Sequence, residues 1–325
     1  MGGFAATPMA GVLNVAATNI AKDYANNELV GDQIAPRVPM DRQAFQYVVH
    51  DYLSLRLDGS TLRAPGAAPR TIRSSFSTDT YFCDSHAEMA EIPVETEAWG
   101  TGFGFSQISR AGVGIMNRLL LDREVAVAKA VQGAGTTLAL SSGACWDQTT
   151  STPIENIYAA REIARQSGVE ANILVLGSPV VTALMSNLEI VDRLKYTNTS
   201  GMIDLNKLSS VFGVKCVRGA AILYDKNNVP SFVWGQTATL AYVKEVSDQA
   251  DISSAKTFVW TGAPNTMGGY GVITEPKYPL AAKATLVSAD WYWDVKVTAP
   301  ETLATFTNCC AAPTYITPTA PATGF

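Results

Sequence analysis

Apolar and polar residues alternate in the segment that follows residue 44, which is the spacing of a β-strand. Asp58-Gly59 then supplies a turn, a tip rich in Gly, Pro and Ala (RAPGAAPR) follows, and the segment TIRSSFSTDTYF returns. This pattern predicts a long hairpin with a wide loop. Because an isolated two-stranded ribbon is marginal in water, we expect the hairpin to pack on something else, such as another subunit. The alternating apolar positions are Tyr47, Val49, Leu53, Leu55 and Leu57.

The spacing of apolar residues changes to a helical period between Asn117 and Gly133. Two apolar stripes run along this segment, one with Leu121, Val125 and Ala128, the other with Leu120, Val127 and Val131. Such a helix is expected to be buried on more than one side, and to end at its glycine.

A second helix is predicted from Pro153, since Thr152 and Glu155 have the spacing of a capping box and proline suits the first helical position. Its apolar stripe of Ile and Ala residues runs as far as Gly168. A buried strand follows at Ile173 to Leu176.

Two further helices are predicted beyond this strand. Ser178 is expected to cap a helix that starts at Pro179, and Asp204 to cap another that ends at Gly213. The last third of the chain alternates strand-like runs with Gly/Pro turns, and the segment LVGDQIAPRVP near the start is predicted as an extended strand broken by proline.

Composition narrows the possible functions. The formal net charge is −5, with 24 basic and 29 acidic residues and no basic cluster, which disfavours sequence-specific binding of nucleic acid. The five cysteines are odd in number and irregularly spaced, so we expect buried thiols in a protein made in a reducing cytoplasm. No run of 18 apolar residues predicts a membrane span, and no signal peptide opens the sequence.

Charge is segregated around the hairpin. Basic residues dominate it, and an acidic stretch without Lys or Arg then continues until Arg110. This arrangement suits head-to-tail contact between identical copies, although two solvated faces would give the same pattern. The proposed contact pairs Arg63, Arg70 and Arg73 of one copy with Glu88, Glu91 and Glu95 of a neighbour.

The sequence offers almost no motif for catalysis or cofactor binding; a pair of carboxylates for glycoside hydrolysis stays open, but nothing in the sequence selects one. The strand that ends at Leu176 lacks the glycine pattern of a phosphate-binding turn, and no glycine is followed by lysine. The two histidines, His50 and His86, have no serine nucleophile motif to serve. Cys83 and His86, with Asp84 and Glu88 nearby, make at best half a zinc site. We therefore expect no catalytic residue, no cofactor and no metal.

The order of these parts resembles the major capsid proteins of tailed bacteriophages with the Hong Kong 97-type fold. The similarity runs from about residue 28 to about 300 and includes RAPGAAPR, RLLLDREVAVAKAV, NILVLGSPVVTALM, LSSVFGVKCV and VWGQTATLAYV. It implies an α+β chain with an N-terminal arm, an extended loop, a peripheral domain with a spine helix, and an α/β axial domain. The implied ranges are 1–44 for the arm, 45–92 for the extended loop, 93–151 for the peripheral domain, 152–240 for the axial domain, 241–312 for return strands and 313–325 for the tail.

The resemblance also implies a function. The chain is expected to form pentamers and hexamers of an icosahedral head that encloses double-stranded DNA non-specifically, assembled in the host bacterial cytoplasm and carried in the virion. Expected partners are a separate scaffolding protein, a portal and a cement or decoration protein, with no membrane. No lysine lies between Lys22 and Lys129, so the covalent cross-link that some members form from this loop is not expected.

Three other readings remain open. An encapsulin-like compartment shares the fold but encloses cargo enzymes. A stand-alone α/β enzyme would need a pocket and a small oligomeric state, against which the long hairpin argues. A phage tail-tube or decoration protein is the remaining reading, and such proteins are generally smaller and dominated by β-structure.

Overall fold

The computed structural model describes residues 12–13, 29–49, 62–68, 77–102, 106–195, 203–244, 251–264, 266, 270–276 and 283–312. These residues form a mixed α+β fold around two sheets. The helices are α1 (Gly31–Ile34), α2 (Val94–Gly102), α3 (Gln107–Gln132), α4 (Pro153–Arg165), α5 (Ser178–Ser186), α6 (Leu188–Leu194) and α7 (Leu205–Phe212).

The strands follow the predicted alternation of runs and turns. They are β1 (Val12–Leu13), β2 (Arg37–Met40), β3 (Ala44–Val49), β4 (Ser77–Phe82), β5 (Asp84–Pro93), β6 (Thr136–Ala139), β7 (Ile173–Gly177), β8 (Lys215–Gly219), β9 (Ile222–Tyr224), β10 (Pro230–Phe232), β11 (Ala238–Ala241), β12 (Ala255–Trp260), β13 (Tyr270–Pro276), β14 (Ala284–Val297) and β15 (Ala304–Thr307).

The first sheet has six strands and is organised by β14, which is 14 residues long. Its order is β1-β13-β14-β12-β2, and β5 also pairs with β14. Helix α3 packs on this sheet, where Leu119 and Leu120 meet Trp291 and Trp293 in one buried cluster. The predicted stripe of Leu120, Val127 and Val131 is buried, because Val127 and Val131 meet the second sheet in a further cluster. Of the other predicted stripe only Ala128 is buried, whereas Leu121 and Val125 are partly exposed.

The second sheet has the order β6-β15-β11-β7-β8, and all five residues of β7 are buried. β7 pairs with β8 in parallel and with β11 in antiparallel fashion. Helices α4, α5 and α7 bury their apolar stripes against it in a core that includes Trp146 and Phe306. The sheet built around the buried strand is therefore the α/β block that the sequence predicted.

Several element boundaries differ from the predictions. Helix α3 starts ten residues before Asn117, because Ser106 caps it by accepting a hydrogen bond from the Ser109 amide. The prediction of an extended strand in LVGDQIAPRVP is wrong at α1 and holds at β2. Residues 84–92 fall within the predicted extended loop, yet they belong to β5 of the six-stranded sheet.

The predicted cap of α4 is confirmed in position, with Thr152 as N-cap and Pro153 as the first residue, but not in its side-chain bond, and the predicted cap of α5 is wrong. The Thr152 side chain makes no capping bond to α4, and the Ile154 amide instead donates to Oε2 of Glu189, at 3.1 Å. Gly177 is the N-cap of α5, while Ser178 Oγ accepts hydrogen bonds from Arg218. The cap of α7 is confirmed, since Asp204 accepts from the Lys207 amide at 3.0 Å and Gly213 ends the helix at φ +66°.

Candidate assembly surfaces

The predicted hairpin is a two-stranded ribbon, β3–β4, whose base is anchored on the six-stranded sheet. Tyr47 and Tyr81 are buried, and their rings pack on Phe258 of β12 at centroid distances of 5.3 and 4.7 Å. The Tyr47 hydroxyl donates to Asp79 at 3.0 Å; burial and this contact raise the pKa of Tyr47. One end of the ribbon is thus fixed to the subunit by aromatic packing.

The tip of the hairpin is a tight turn with exposed side chains. The Ala67 amide donates to the Ala64 carbonyl at 3.1 Å, and Gly66 has φ +80°, which fits Pro-Gly at the centre of a type II turn. Leu62 is 91% exposed and Arg63 is also exposed. Arg70 and Arg73, the other predicted contact residues of the loop, lie outside the described residues.

The acidic residues predicted to face a neighbour divide into two groups. Glu88 points toward the subunit's own α3 and accepts a hydrogen bond from Arg118 at 3.3 Å. Glu91 and Glu95 are exposed, on β5 and on the first turn of α2. The alternation along β5 places Glu88 and Glu91 on opposite faces of the strand, because residues 86, 88, 90 and 92 are more buried than their neighbours.

Glu91 lies at an open groove of about 370 Å³ between the end of β5, α2 and the start of α3. Exposed apolar side chains occur on the same elements, with Met89 62%, Val94 53% and Trp99 75% exposed. Large exposed apolar side chains next to charged ones are typical of surfaces that contact another protein.

A buried carboxylate joins the arm to both sheets, and sequence reasoning did not identify it. Glu124 of α3 is fully buried and accepts hydrogen bonds from the Val30 amide at 3.1 Å and the Gly31 amide at 2.7 Å. The Trp234 indole, which belongs to the second-sheet unit, donates to the same carboxylate at 2.7 Å. The signal in the sequence was a charged residue inside an apolar helical stripe.

Arg123 extends this junction on the other side of the arm. It is 1% exposed and pairs with Asp32 at 2.7 Å, and Asp32 also binds Arg37 through two hydrogen bonds. Both guanidinium groups lie 5.2 Å from the ring centroid of Trp291. Burial acts to raise the pKa of Asp32, but the two arginines outweigh it and hold that pKa below its usual range.

Trp234 fits into this junction because glycines leave room for it. A Cβ on Gly219 would lie 2.3 Å from the indole, and a Cβ on Gly177 would lie 2.0 Å from the Gly235 carbonyl oxygen. Gly177 follows the predicted strand that lacks the glycine pattern of a phosphate-binding turn, and a glycine is required at this position for close backbone packing.

The residues considered for metal binding and catalysis have other contacts. His86 stacks on Trp293 at 3.9 Å, and its Nδ1 lies 3.1 Å from Asp122. Burial raises the pKa of Cys83 to about 12, which opposes the thiolate form that a metal requires. The part of the chain that the structure describes contains no cluster of three or more metal-ligating side chains, and none of its helices is long and apolar enough to cross a membrane. His50 lies outside the described residues.

Comparison with known proteins identifies a curated relative and solved structures with the same architecture. No family model matches the sequence. A curated relative, the major capsid protein of Pseudomonas phage JBD67, is 27% identical over 256 residues, which cover 75% of this chain and 81% of the relative. A crystal structure of a phage-related protein from Bordetella bronchiseptica RB50 has a TM-score of 0.73 and 21% identity, covering 92% of this chain and 98% of that one.

The fold is also shared with assembled shells. A capsid structure of cyanophage P-SCSP1u has a TM-score of 0.61 at 11% identity and covers 93% of this chain and 92% of that one. An encapsulin from Synechococcus elongatus PCC 7942 has a TM-score of 0.50 at 11% identity and covers 94% of this chain and 99% of that one. The chain therefore has the Hong Kong 97-type fold of shell-forming proteins, and the predicted resemblance to tailed-phage capsid proteins is confirmed.

Proposed function

We propose that this protein is the major capsid protein of a tailed phage and forms the icosahedral shell of the virion. The observation that carries the proposal is the 27% identity to a phage major capsid protein across three quarters of the chain, because the fold by itself is common to phage shells and encapsulins. A structural role, without catalysis, follows from this assignment.

The distribution of exposed side chains supports assembly. The ribbon is anchored at its base by Tyr47 and Tyr81, whereas its tip presents Leu62 and Arg63 to the surroundings. A shell subunit needs several moderate contacts rather than one tight contact, since closure of the shell makes the later contacts effectively intramolecular.

The intersubunit contact is proposed to bring the arginines of the loop, Arg63, Arg70 and Arg73, to the acidic surface of a neighbour at Glu91 and Glu95. Glu88 contributes less than the sequence suggested, since Arg118 of its own chain already binds it. Opposite charges at the edge of an interface guide the approach and the register of the two subunits.

The wider partners belong to the same proposal. Pentamers and hexamers form in the host cytoplasm with a separate scaffolding protein, a portal occupies one vertex, and a cement or decoration protein binds the shell. Packaged double-stranded DNA is held non-specifically, and a net charge of −5 suits DNA that must slide and leave. The chain between Lys22 and Lys129 offers no lysine for a covalent cross-link from the loop.

Electron microscopy of the purified chain, with size-exclusion chromatography beside it, tests the proposal. We expect closed shells or rings of five and six. A monomer that does not assemble, with or without a phage lysate, would contradict it and return attention to an enzyme. Nucleic acid inside particles isolated from infected cells supports the phage function, and cargo enzymes inside them would favour a compartment.

A further inference from the structure

Three of the five cysteines lie together where the loop before α4 meets the segment after β15. All five are free thiols, and Cys145, Cys309 and Cys310 belong to these two segments. The segments run side by side and are held by four hydrogen bonds. These are Leu140 N to Thr307 O at 3.1 Å, Cys145 Sγ to Asn308 O at 3.2 Å, Trp146 N to Cys309 O at 2.6 Å and Ala311 N to Asp147 Oδ2 at 2.9 Å.

The backbone turn after β15 gives the two adjacent cysteines different surroundings. Asn308 has φ +58°, a left-handed conformation that asparagine tolerates better than most residues. Cys309 is fully buried in the core of the second sheet and interacts with the backbone of Ala238. Cys310 is 7% exposed and lies near Asp147 and Cys145, and Cys145 itself is partly exposed.

We propose that Cys145 and Cys310 are a redox-responsive pair that closes to an intrachain disulfide when the protein meets a small-molecule disulfide such as oxidised glutathione. The accessible thiol, Cys145, reacts first, and Cys310 completes the bond. Both adjacent thiols belong to the same core cluster and lie near Cys145, but Cys309 is fully buried whereas Cys310 keeps 7% exposure, so Cys310 is assigned as the partner.

The exchange proceeds in two balanced steps. The Cys145 thiolate attacks one sulfur of oxidised glutathione, which breaks that S–S bond, forms a mixed disulfide and releases one glutathione thiolate. The Cys310 thiolate then attacks the Cys145 sulfur, and the second glutathione leaves. Two thiol protons and two electrons pass from the protein to glutathione. Burial raises the pKa of Cys310 to about 11, so the second step should accelerate as pH rises.

The bond would connect the loop before α4 to the C-terminal segment and fasten the edge of the second sheet. Constraining two distant parts of the chain lowers the entropy of the unfolded state, so the closed form should resist unfolding better. The time at which the disulfide would form rests on the proposed function, because a virion leaves a reducing cytoplasm for oxidising surroundings when the host lyses.

Peptide mapping of the assembled protein tests the pair. Trypsin leaves Cys145 in the peptide 130–161 and both Cys309 and Cys310 in the peptide 297–325, since neither peptide contains an internal Lys or Arg. Particles are incubated with oxidised or reduced glutathione at pH 8, alkylated, digested without reductant and examined by mass spectrometry. Cys145→Ser, Cys309→Ser and Cys310→Ser variants are treated in parallel.

We expect the two peptides to be linked after oxidation in the original protein and in Cys309→Ser, and unlinked in Cys145→Ser and Cys310→Ser. Dithiothreitol should reverse the link, and the oxidised form should melt roughly 5–10 °C higher. A link that forms only in denaturant, that joins two chains, or that survives Cys310→Ser would overturn the proposal. Electron microscopy of the same samples reports assembly separately, so failure of the disulfide and failure of the capsid function give different results.

Discussion

Acidic side chains occur in two contrasting settings on neighbouring elements of the first sheet. Glu124 on α3 is fully buried and receives three hydrogen bonds from the arm and from Trp234. Glu91 on β5 and Glu95 on α2 are exposed. The same chemical group therefore fixes the internal architecture of the subunit in one place and is presented to the surroundings in the other.

The comparison shows why charge alone does not identify an assembly contact. A buried carboxylate is costly unless donors surround it, so its contacts must be made within the folded subunit. An exposed carboxylate costs the folded subunit little, because water solvates it. It contributes more stabilisation when a charged group of a partner covers it. Burial therefore separates the acid that maintains the fold, Glu124, from the exposed acids that are proposed for assembly.

Removal of the buried carboxylate should have the largest effect. Glu124→Ala leaves three donors without an acceptor in a dry site, and we expect a loss of about 3–5 kcal/mol in the free energy of unfolding. Urea denaturation of the unassembled chain measures this change. Glu124→Gln keeps one acceptor oxygen and should lose less. A loss below about 1 kcal/mol in Glu124→Ala would show that the junction with Trp234 is dispensable.

Asp32 should give the next largest effect, with a defined dependence on pH. Because its folded pKa lies below its usual value of 3.8, its contribution is fully present above that value and is lost as pH falls through the folded pKa. Asp32→Asn should cost about 1–3 kcal/mol at pH 7, since Arg123 loses its carboxylate partner, although exposure of Asp32 moderates the loss. The difference should shrink below pH 3.8. A difference that is the same at pH 7 and pH 3 would contradict the assignment.

Reversal of the exposed acids should affect assembly rather than folding. Glu91→Lys with Glu95→Lys should raise the protein concentration needed for shell formation by about thirtyfold at low salt, as expected for roughly 1 kcal/mol at each of the two positions, and the effect should weaken at high salt. Light scattering measures assembly, and urea denaturation should show a nearly unchanged subunit. Glu162→Lys is the control, because it reverses another exposed acid, which lies on α4 and pairs with Arg165 of the same helix.

Exchanging the charges of both proposed partners tests the contact between Arg63 and the acids more directly than reversing the acids alone. If Arg63 contacts these acids, the single variant Arg63→Glu should impair assembly. The combination of Arg63→Glu with Glu91→Lys and Glu95→Lys should restore part of the lost assembly. Absence of any recovery would separate Arg63 from Glu91 and Glu95 and would leave Arg70 and Arg73 as the basic residues to test.

Local patterns predicted much of the fold because they report local faces. The buried strand β7 and the cap of α7 at Asp204 were recognised from neighbouring residues alone. The junction at Glu124 could not be predicted in the same way, since its donors lie 94, 93 and 110 residues away. The capping bond predicted for Thr152 is absent for the same reason. Glu189, 35 residues along the chain from Ile154, accepts the hydrogen bond at the helix terminus instead. For the proposed assembly surface, the sequence grouped Glu88 with Glu91 and Glu95, because it did not show that Arg118 of α3 binds Glu88.

The smallest predicted effect concerns Glu88, which lies between the two settings. Its bond to Arg118 spans 3.3 Å between side chains that are 40% and 73% exposed, so water and ions screen the pair. A double-mutant cycle with Glu88→Gln and Arg118→Gln should give a coupling energy of about 0.2–1 kcal/mol in the unassembled subunit. Glu88→Gln should also leave the assembly threshold almost unchanged, in contrast to the reversal of Glu91 and Glu95. A large assembly defect in Glu88→Gln would place Glu88 at the interface and would mean that a neighbour displaces Arg118 when the shell forms.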